Sequence, residues 1–244
     1  MNLCRIVKGA LRQAIGRQVY SPLELRAATH HLTMSASPTL TELLADIRNC
    51  RACEQYLPLG PRPILRASST ARILIVGQAP GTRVHSTGVP WDDPSGERLR
   101  AWMGVGKGEF YDDSNIAIIP MGYCYPGRGK GGDLPPRREC AQLWLDLLLA
   151  RLPGIELTLL IGQYAQRHFL GSRRKKSLTE TIRSWQDYAP KYFPLPHPSP
   201  RNTPWLRREP WFERRLLPVL RRRIRPLAAP AARRPMRNDR LKSA

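Results

Sequence analysis

Three short apolar runs, separated by longer segments with helical spacing, limit the folds open to this chain. The runs are "RILIV" at 72–76, "IAIIP" at 116–120 and "ELTLLI" at 156–161. The segments 96–104 and 137–152 carry helical patterns and are long enough to act as crossovers between parallel strands. Strands that alternate with helices predict an α/β fold, in which a mostly parallel central sheet has helices on both faces.

Glycine turns follow two of these runs. "GQAPG" begins at Gly77 and "GQYAQ" begins at Gly162. In open α/β sheets, binding sites form beyond the carboxyl ends of the strands, so both turns are expected to border a site. Neither turn has the spacing of a dinucleotide fingerprint or a P-loop, so they do not indicate a nucleotide cofactor.

The cysteine spacing indicates a metal centre. The chain has five cysteines: Cys4 near the start, the pair Cys50 and Cys53, and then Cys124 and Cys140. A C-x-x-C pair followed by two further cysteines supplies four thiolates, which suit either tetrahedral zinc or a [4Fe–4S] cluster. Buried thiols without a ligand, in a reducing compartment, are the remaining alternative. The spacing alone does not choose the metal.

The chain is strongly basic. Its 244 residues include 40 Lys and Arg against 19 Asp and Glu, a formal net charge of +21. A charge of this size favours a polyanionic partner over small acidic molecules. Part of the excess is in the termini, so a basic globule with charged tails is the alternative interpretation.

Composition divides the chain into three parts. Residues 1–35 form a basic extension, either disordered or upstream of a true start at Met34. Residues 36–224 form the folded domain, and residues 225–244 form an Arg-, Pro- and Ala-rich tail that we expect to be disordered. No segment approaches the ~20 apolar residues that span a bilayer. We predict a monomer in the cytoplasm that does not contact membranes.

Four motifs occur in the order "ILIVGQAPG", "GVPWDDPSGERLR", "GYC…EC" and "LPHPSPRN". Together they resemble the uracil-DNA glycosylase superfamily, closest to its iron–sulfur (family 4-like) branch, over roughly residues 50–211. The resemblance implies a three-layer α/β/α sandwich with a central, mostly parallel four-stranded sheet. It also implies a structural [4Fe–4S] cluster, with zinc as the alternative, held by Cys50, Cys53, Cys124 and Cys140.

The first motif, "GQAPG", implies contact with an extruded base but contains no acid. In the relatives this turn holds the base, so the resemblance places Gly77, Gln78 and Ala79 against it. Iron–sulfur relatives have a Glu at the position of Gln78, and the best-known branch has an Asp at the position of Ala79. An amide orients water but is no useful base near neutral pH. The catalytic carboxylate is therefore expected elsewhere.

The segment "PWDDPSG" supplies the nearest carboxylates, so Asp92 and Asp93 are predicted catalytic candidates. Asp93 before Pro94 also suits a helix start, with Asp as N-cap and Pro at the first helical position. Asp92 is then the freer of the two to face a pocket. Trp91 is where iron–sulfur relatives have a Phe that stacks on the extruded base, and an indole offers the same flat face. An ordinary core tryptophan is the alternative.

His197 in "LPHPSPRN" is the third catalytic candidate. Two flanking prolines hold its backbone extended. In the superfamily this histidine hydrogen-bonds the base as negative charge develops on it, which requires a donor in a dry pocket. The resemblance assigns Ser199, Arg201 and Asn202 to a loop that enters the minor groove and fills the gap left by the flipped nucleotide.

The motifs predict a monofunctional DNA glycosylase that removes a deaminated base, uracil first, from single- or double-stranded DNA and so initiates base excision repair. Relatives specific for uracil carry an Asn where this chain has Pro120, so a glycosylase for another lesion, such as hypoxanthine, stays open. A non-catalytic iron–sulfur DNA-binding protein of the same fold is also open. A small-molecule hydrolase is a third alternative, against which the basic charge argues.

The glycine-rich stretch "PGRGKGGDLPP" lies between Cys124 and Cys140. It has two interpretations. One is a phosphate-gripping loop that uses Arg128 and Lys130. The other, which we favour from sequence, is a flexible and solvated connection.

Overall fold

A computed structural model describes residues 37–229, so residues 1–36 and 230–244 lie outside the described part of the chain. Its centre is a sheet of four parallel strands in the order β2-β1-β3-β4. The strands are β1 Ile73–Val76, β2 Ile116–Ile118, β3 Leu157–Ile161 and β4 Tyr192–Leu195. β1 is an inner strand, because Ile73 is in register with Ile116 of β2 and with Leu157 of β3.

Helices connect the strands. They are α1 Leu40–Arg48, α2 Thr82–Thr87, α3 Pro94–Met103, α4 Lys107–Phe110, α5 Arg138–Cys140, α6 Asp146–Leu149, α7 Gly162–Leu170, α8 Leu178–Arg183, α9 Thr203–Arg208 and α10 Leu217–Ala228. Two π-helical turns, Ala141–Leu145 and Phe212–Leu216, lead into α6 and α10, and short 3-10 turns occur at Glu54–Tyr56, Gly171–Arg173, Trp185–Tyr188 and Pro200–Asn202. Across residues 37–229, no helix combines the length and the apolarity needed to cross a bilayer.

The sheet separates two apolar layers. Successive side chains of a strand point to opposite faces. Ile73 and Ile75 of β1 therefore pack with α3 and α10, whereas Leu74 and Val76 pack with α1 and α6. Every residue of β1 and β3 is buried, as expected for a parallel sheet covered on both sides. The predicted three-layer α/β/α sandwich with a parallel four-stranded sheet is confirmed.

The three apolar runs form β1, β2 and β3, but the sequence pattern does not indicate β4. Its four residues, "YFPL", include Pro194, which cannot donate a hydrogen bond to a neighbouring strand. β4 is an edge strand beside β3. An edge is where a sheet tolerates proline, because one side of the strand needs no donor.

The folded part extends past the boundary predicted at residue 224. Helix α10 continues to Ala228, which is buried at its end. Arg72, next to β1, donates from Nη1 to the carbonyl oxygen of Pro226 at 3.0 Å and so connects the helix to the sheet. The prediction of a disordered tail is therefore wrong for residues 225–228.

Candidate active site

A cavity of about 590 Å³ lies at the carboxyl-terminal edge of the sheet. The segments that follow all four strands line it: residues 77–81 after β1, Pro120 after β2, Gln163 and Tyr164 after β3, and His197 after β4. In a parallel sheet these segments meet at one edge, which is where such folds bind their ligands. Both glycine turns singled out in the sequence border this cavity.

Backbone hydrogen bonds connect the "GQAPG" turn to the segment that follows β2. The carbonyl oxygen of Gly77 accepts from the N–H of Met121 at 3.0 Å, and that of Gln78 accepts from the N–H of Gly122 at 2.9 Å. The side chain of Gln78 donates from Nε2 to the carbonyl oxygen of Leu134 at 3.3 Å. The Gln78 amide therefore connects the turn to the segment that contains Leu134.

Trp91 lines the cavity in an unusual backbone conformation. Its φ is 59°, in the left-handed region that residues with a side chain rarely adopt. The backbone of Gly96 packs directly against its carbonyl group, and Arg100 donates to that carbonyl oxygen from Nη1 at 3.3 Å. The indole lies on Gly77, and its centroid is 5.6 Å from that of the His197 ring. Backbone strain of this kind is concentrated at functional sites.

Asp93, and not Asp92, lines the cavity. Asp93 is also the N-cap of α3, because its Oδ1 accepts from the N–H of Gly96 at 2.8 Å. The predicted cap is therefore present, but the expectation that Asp92 would be the freer residue to face a pocket is reversed. Asp93 combines a helix cap with a pocket carboxylate, and one of its two oxygens remains for a ligand.

His197 has a defined tautomer. The backbone N–H of Ser199 donates to its Nδ1 at 3.2 Å, so the proton of a neutral ring is on Nε2. Burial lowers the pKa of His197 below its ordinary value, and the negative charge of Asp93 opposes this only in part. The imidazole is therefore neutral at physiological pH and presents Nε2–H as a donor.

The loop that carries His197 is held by side chains. Asn202 donates from Nδ2 to the carbonyl oxygen of His197 at 2.7 Å. Arg98 of α3 donates from Nη1 to the carbonyl oxygen of Ser199 at 3.1 Å and from Nη2 to Oγ1 of Thr203 at 3.4 Å. Arg98 therefore connects its own motif, "GVPWDDPSGERLR", to the loop that follows His197. The sequence does not distinguish it from a solvated helical arginine.

Part of the glycine-rich stretch forms a hairpin that lines the cavity, so the favoured prediction of a mere flexible connection is wrong, whereas its solvated character is confirmed by the exposed Arg128 and Lys130. Arg128–Gly129 pairs in antiparallel fashion with Gly132–Asp133, and we call residues 128–133 the pocket hairpin. Arg201 donates from Nη1 to the carbonyl oxygen of Gly131 at 2.7 Å. Arg201 therefore connects the His197 loop to the hairpin tip.

Asp133, at the end of the pocket hairpin, is a cavity carboxylate that sequence reasoning missed. Burial raises the pKa of Asp133 above its ordinary value, although the guanidinium groups of Arg201 and Arg128 oppose the shift and water reaches the side chain. The charge of Asp93 adds to the rise, which indicates that the two carboxylates share one electrostatic environment. The available signal was an acid within a glycine-rich stretch that is bounded by two predicted metal ligands.

The four predicted metal ligands are free thiols. Cys140 donates a hydrogen bond to Cys53, which lowers the pKa of Cys53 to about 7 and raises that of Cys140. Burial raises the pKa of Cys124 to about 11, and the proximity of Cys53 and Cys50 adds to the rise. The N–H of Tyr123 donates to Sγ of Cys140 at 3.4 Å. Among residues 37–229, no three His, Cys, Asp or Glu side chains converge closely enough to hold one metal ion.

The sequence of this chain matches the family model of the uracil DNA glycosylase superfamily over residues 66–221. The match begins before β1 and ends within α10, so it contains Trp91, Asp93 and His197. It does not reach Cys50 and Cys53, and it therefore does not test the iron–sulfur branch. Because the match covers more than half of the chain, we conclude that this protein belongs to the uracil-DNA glycosylase superfamily.

Proposed function

We propose that this protein is a monofunctional DNA glycosylase that hydrolyses the N-glycosidic bond of a deaminated base flipped out of DNA, and that it thereby initiates base excision repair. The observation that carries the proposal is the meeting of three groups in one cavity. Asp93 supplies a carboxylate, His197 a neutral hydrogen-bond donor and Trp91 an aromatic face. Superfamily membership supports a glycosylase-type hydrolase in general.

His197 stabilises the leaving base. As the glycosidic bond breaks, negative charge collects on the base, and the Nε2–H of a neutral imidazole donates to it. The backbone N–H of Ser199 holds the ring in the required tautomer before the reaction begins. A preorganised donor at developing charge typically contributes about 3 kcal/mol to the transition state.

Asp93 acts on the sugar, and Trp91 acts on the flipped base. Loss of the base leaves an oxocarbenium-like sugar, which a nearby carboxylate stabilises. Oδ1 of Asp93 is fixed by the N–H of Gly96, so the carboxylate is held in place while Oδ2 remains for the substrate or water. The indole of Trp91 offers a flat face for a flipped base.

DNA is the proposed polyanionic partner. Arg128, Lys130 and Arg201 are exposed and belong to the pocket hairpin or to the His197 loop that contacts it. Side chains of this kind bind phosphates, position the strand and give an affinity that falls steeply with salt. They carry no information about the base.

The proposal leaves the identity of the excised nucleobase to experiment. Pro120 lines the cavity where uracil-specific relatives have an Asn, and a proline side chain has neither donor nor acceptor. Uracil remains the first substrate to test. Pro120 favours hypoxanthine, xanthine or an oxidised pyrimidine as the second candidate, because the edge of the base is not read at that position.

We further propose that Cys50, Cys53, Cys124 and Cys140 hold a structural [4Fe–4S] cluster. Cys53 and Cys124 lie in one small buried hydrophobic cluster, and the thiol of Cys140 is close enough to lower the pKa of Cys53, which supports a common centre. Four thiolates suit either a [4Fe–4S] cluster or tetrahedral zinc. The resemblance to iron–sulfur relatives favours the [4Fe–4S] cluster.

A base-release assay tests the function. Single- and double-stranded oligonucleotides carrying uracil, hypoxanthine, xanthine or an oxidised pyrimidine are incubated with the protein, and alkali cleavage reveals abasic sites. We expect an abasic product with at least one lesion. Binding without any abasic product would favour the non-catalytic DNA-binding alternative, and absence of both binding and product would contradict the proposal.

A further inference from the structure

We infer that Asp133 is the catalytic base of this protein, and that the pocket hairpin supplies the carboxylate that the "GQAPG" motif lacks. The inference deepens the proposed glycosylase function and rests on it. It assigns activation of the attacking water to Asp133. Asp93, which is fixed as a helix cap, then stabilises the cationic sugar.

Asp133 lies in the proposed active site, next to the first motif. Its side chain lines the same cavity as Asp93 and His197. A methyl group placed on Gly81, at the end of the first motif, would lie 3.3 Å from Oδ2 of Asp133. The carboxylate is therefore beside the turn in which the relatives carry their own acid. It reaches that place from a segment about 50 residues later in the chain.

The pocket hairpin holds Asp133 through contacts with both motifs. Gln78 of the first motif donates to the carbonyl oxygen of Leu134, the next residue after Asp133, at 3.3 Å. Arg201 of the second motif donates to the carbonyl oxygen of Gly131 at 2.7 Å. Gly132 has a φ of 136°, and a side chain there would collide with Arg201, since a Cβ would lie 2.0 Å from its Nη1. Gly132 therefore permits the approach of Arg201 to the hairpin, which a residue with a side chain would prevent.

The charges around Asp133 suit a base. Its carboxylate is influenced by Arg201, Arg128 and Asp93. The two arginines favour the ionised form that accepts a proton. Burial and Asp93 act in the opposite direction and raise the pKa, which makes the carboxylate a stronger base than an ordinary aspartate. Water reaches the side chain, because the residue is exposed at the cavity.

The reaction balances without a further reagent. The bond between the sugar C1′ and the base nitrogen breaks, and its electron pair leaves with the base, which accepts a hydrogen bond from Nε2–H of His197. The water oxygen bonds to C1′ while one water proton moves to Asp133. Asp133 then returns the proton to solvent, and the base anion takes one from solvent. The products are an abasic sugar and a neutral free base.

The test compares Asp133→Asn with the wild-type full-length chain. The rate of base release is measured in single turnover on the lesion that the wild type removes fastest, together with DNA affinity and melting temperature. We expect release to slow by about 10²–10⁴-fold. DNA affinity should not fall, since the substitution removes a negative charge. The melting temperature should stay unchanged or rise, because an amide avoids the cost of partly burying a charge.

Two further variants complete the test. Asp133→Ala should reproduce the loss of activity without introducing an amide. Asp113→Asn is the matched control. Asp113 is exposed and does not line the cavity. Its one ion pair among residues 37–229 is with Arg66, at 3.9 Å, and Arg66 does not line the cavity either. Asp113→Asn should keep the wild-type rate.

The outcomes separate this inference from the proposed function. If the wild type releases none of the lesions, both the proposed glycosylase function and the role of Asp133 as base are contradicted. If the wild type is active and Asp133→Asn is nearly as fast, the inference alone is wrong. A variant with normal rate but lower melting temperature and weaker binding would make Asp133 a structural residue. A changed preference among bases at undiminished rate would make it a specificity residue, and either result overturns its role as base.

Discussion

At the scale of single residues, Asp93 has two roles that substitution can separate. Asn caps a helix as well as Asp does, whereas Ala costs about 1 kcal/mol of stability at an N-cap. Asp93→Asn should therefore keep the cap on Gly96 and lose the carboxylate. We expect base release to fall by at least about 10²-fold with an unchanged free energy of unfolding. Single-turnover kinetics and urea denaturation measure the two quantities.

Asp93→Ala and Asp92→Asn are the comparisons for this prediction. Asp93→Ala should lose both activity and stability, because it removes the cap and the charge. Asp92→Asn should retain activity, because Asp92 does not line the cavity. An active Asp93→Asn variant beside an inactive Asp92→Asn variant would transfer the catalytic role to Asp92.

His197 predicts a dependence on pH. Burial lowers its pKa, so the folded protein keeps the imidazole neutral at a pH where free histidine, with a pKa of about 6.5, takes up a proton. The unfolded chain therefore binds the proton first as the pH falls. The contribution of His197 to stability should decline as the pH drops below about 6.5, and this decline should be missing in His197→Ala.

The same variant tests the donor role of His197. His197→Ala should slow base release by roughly 10²–10³-fold near neutral pH, because the Nε2–H donor is lost. In the wild type, protonation of His197 should not limit the rate between pH 7 and 6.5. A wild-type rate that fell in this interval with the titration of a histidine, and a variant without that fall, would show that the ring is not held neutral.

Continuous motifs explain why part of the pocket is visible in the sequence. Trp91 and Asp93 lie in one short loop and His197 in another, and all three line the cavity. Asp133 is different. Its place depends on a hydrogen bond from Arg201 to the pocket hairpin and one from Gln78 to Leu134, the next residue after the hairpin. These bonds join residues 70 and 56 positions apart. A local pattern contains no trace of such contacts, so glycine content alone indicated flexibility.

At the scale of elements, the first turn of α3 and the Trp91 loop form one close-packed unit. A Cβ at Gly96 would lie 1.8 Å from the carbonyl oxygen of Trp91, which is backbone and cannot move away as a side chain tip would. Alanine is favoured over glycine in a helix by about 1 kcal/mol. The clash outweighs this gain, and we expect Gly96→Ala to lose about 3 kcal/mol of unfolding free energy in urea denaturation.

Gly108→Ala in α4 is the matched control for Gly96→Ala. It is also a helical glycine, and a Cβ there would meet no heavy atom within 4 Å. This variant should be as stable as the wild type or more stable by up to about 1 kcal/mol. Equal stability of both variants would show that the Trp91 loop adjusts to a methyl group without cost.

The sequence predicts elements whose residues are all apolar or regularly spaced, and it misses those that depend on neighbours. β1 is a continuous apolar run, and β3 is apolar except for Thr158. β4 contains Pro194 and forms because β3 offers it an edge. The last turn of α10 is rich in Arg, Pro and Ala, yet burial of Ala228 and the hydrogen bond from Arg72 to Pro226 order it.

At the scale of the whole molecule, the cysteines join parts of the chain that are far apart in sequence. Cys50 and Cys53 follow α1, Cys124 follows β2, and Cys140 ends α5. The pocket hairpin lies between Cys124 and Cys140. A cluster held by the four thiolates would therefore fix both ends of the segment that carries Asp133, and its loss would loosen that wall of the cavity.

Cysteine substitution tests this coupling. Anaerobically purified wild type should be brown, with about four iron atoms per chain. Cys53→Ser should lower the iron content and the melting temperature. Base release should fall with them, because the cluster no longer fixes the ends of the segment that carries Asp133. Cys4→Ser is the control, since Cys4 lies outside both the described residues and the predicted ligand set, and it should match the wild type. A colourless wild type with one zinc per chain would contradict the cluster. Full stability and activity of Cys53→Ser would contradict its structural role, because a ligand of a structural metal centre contributes directly to folding.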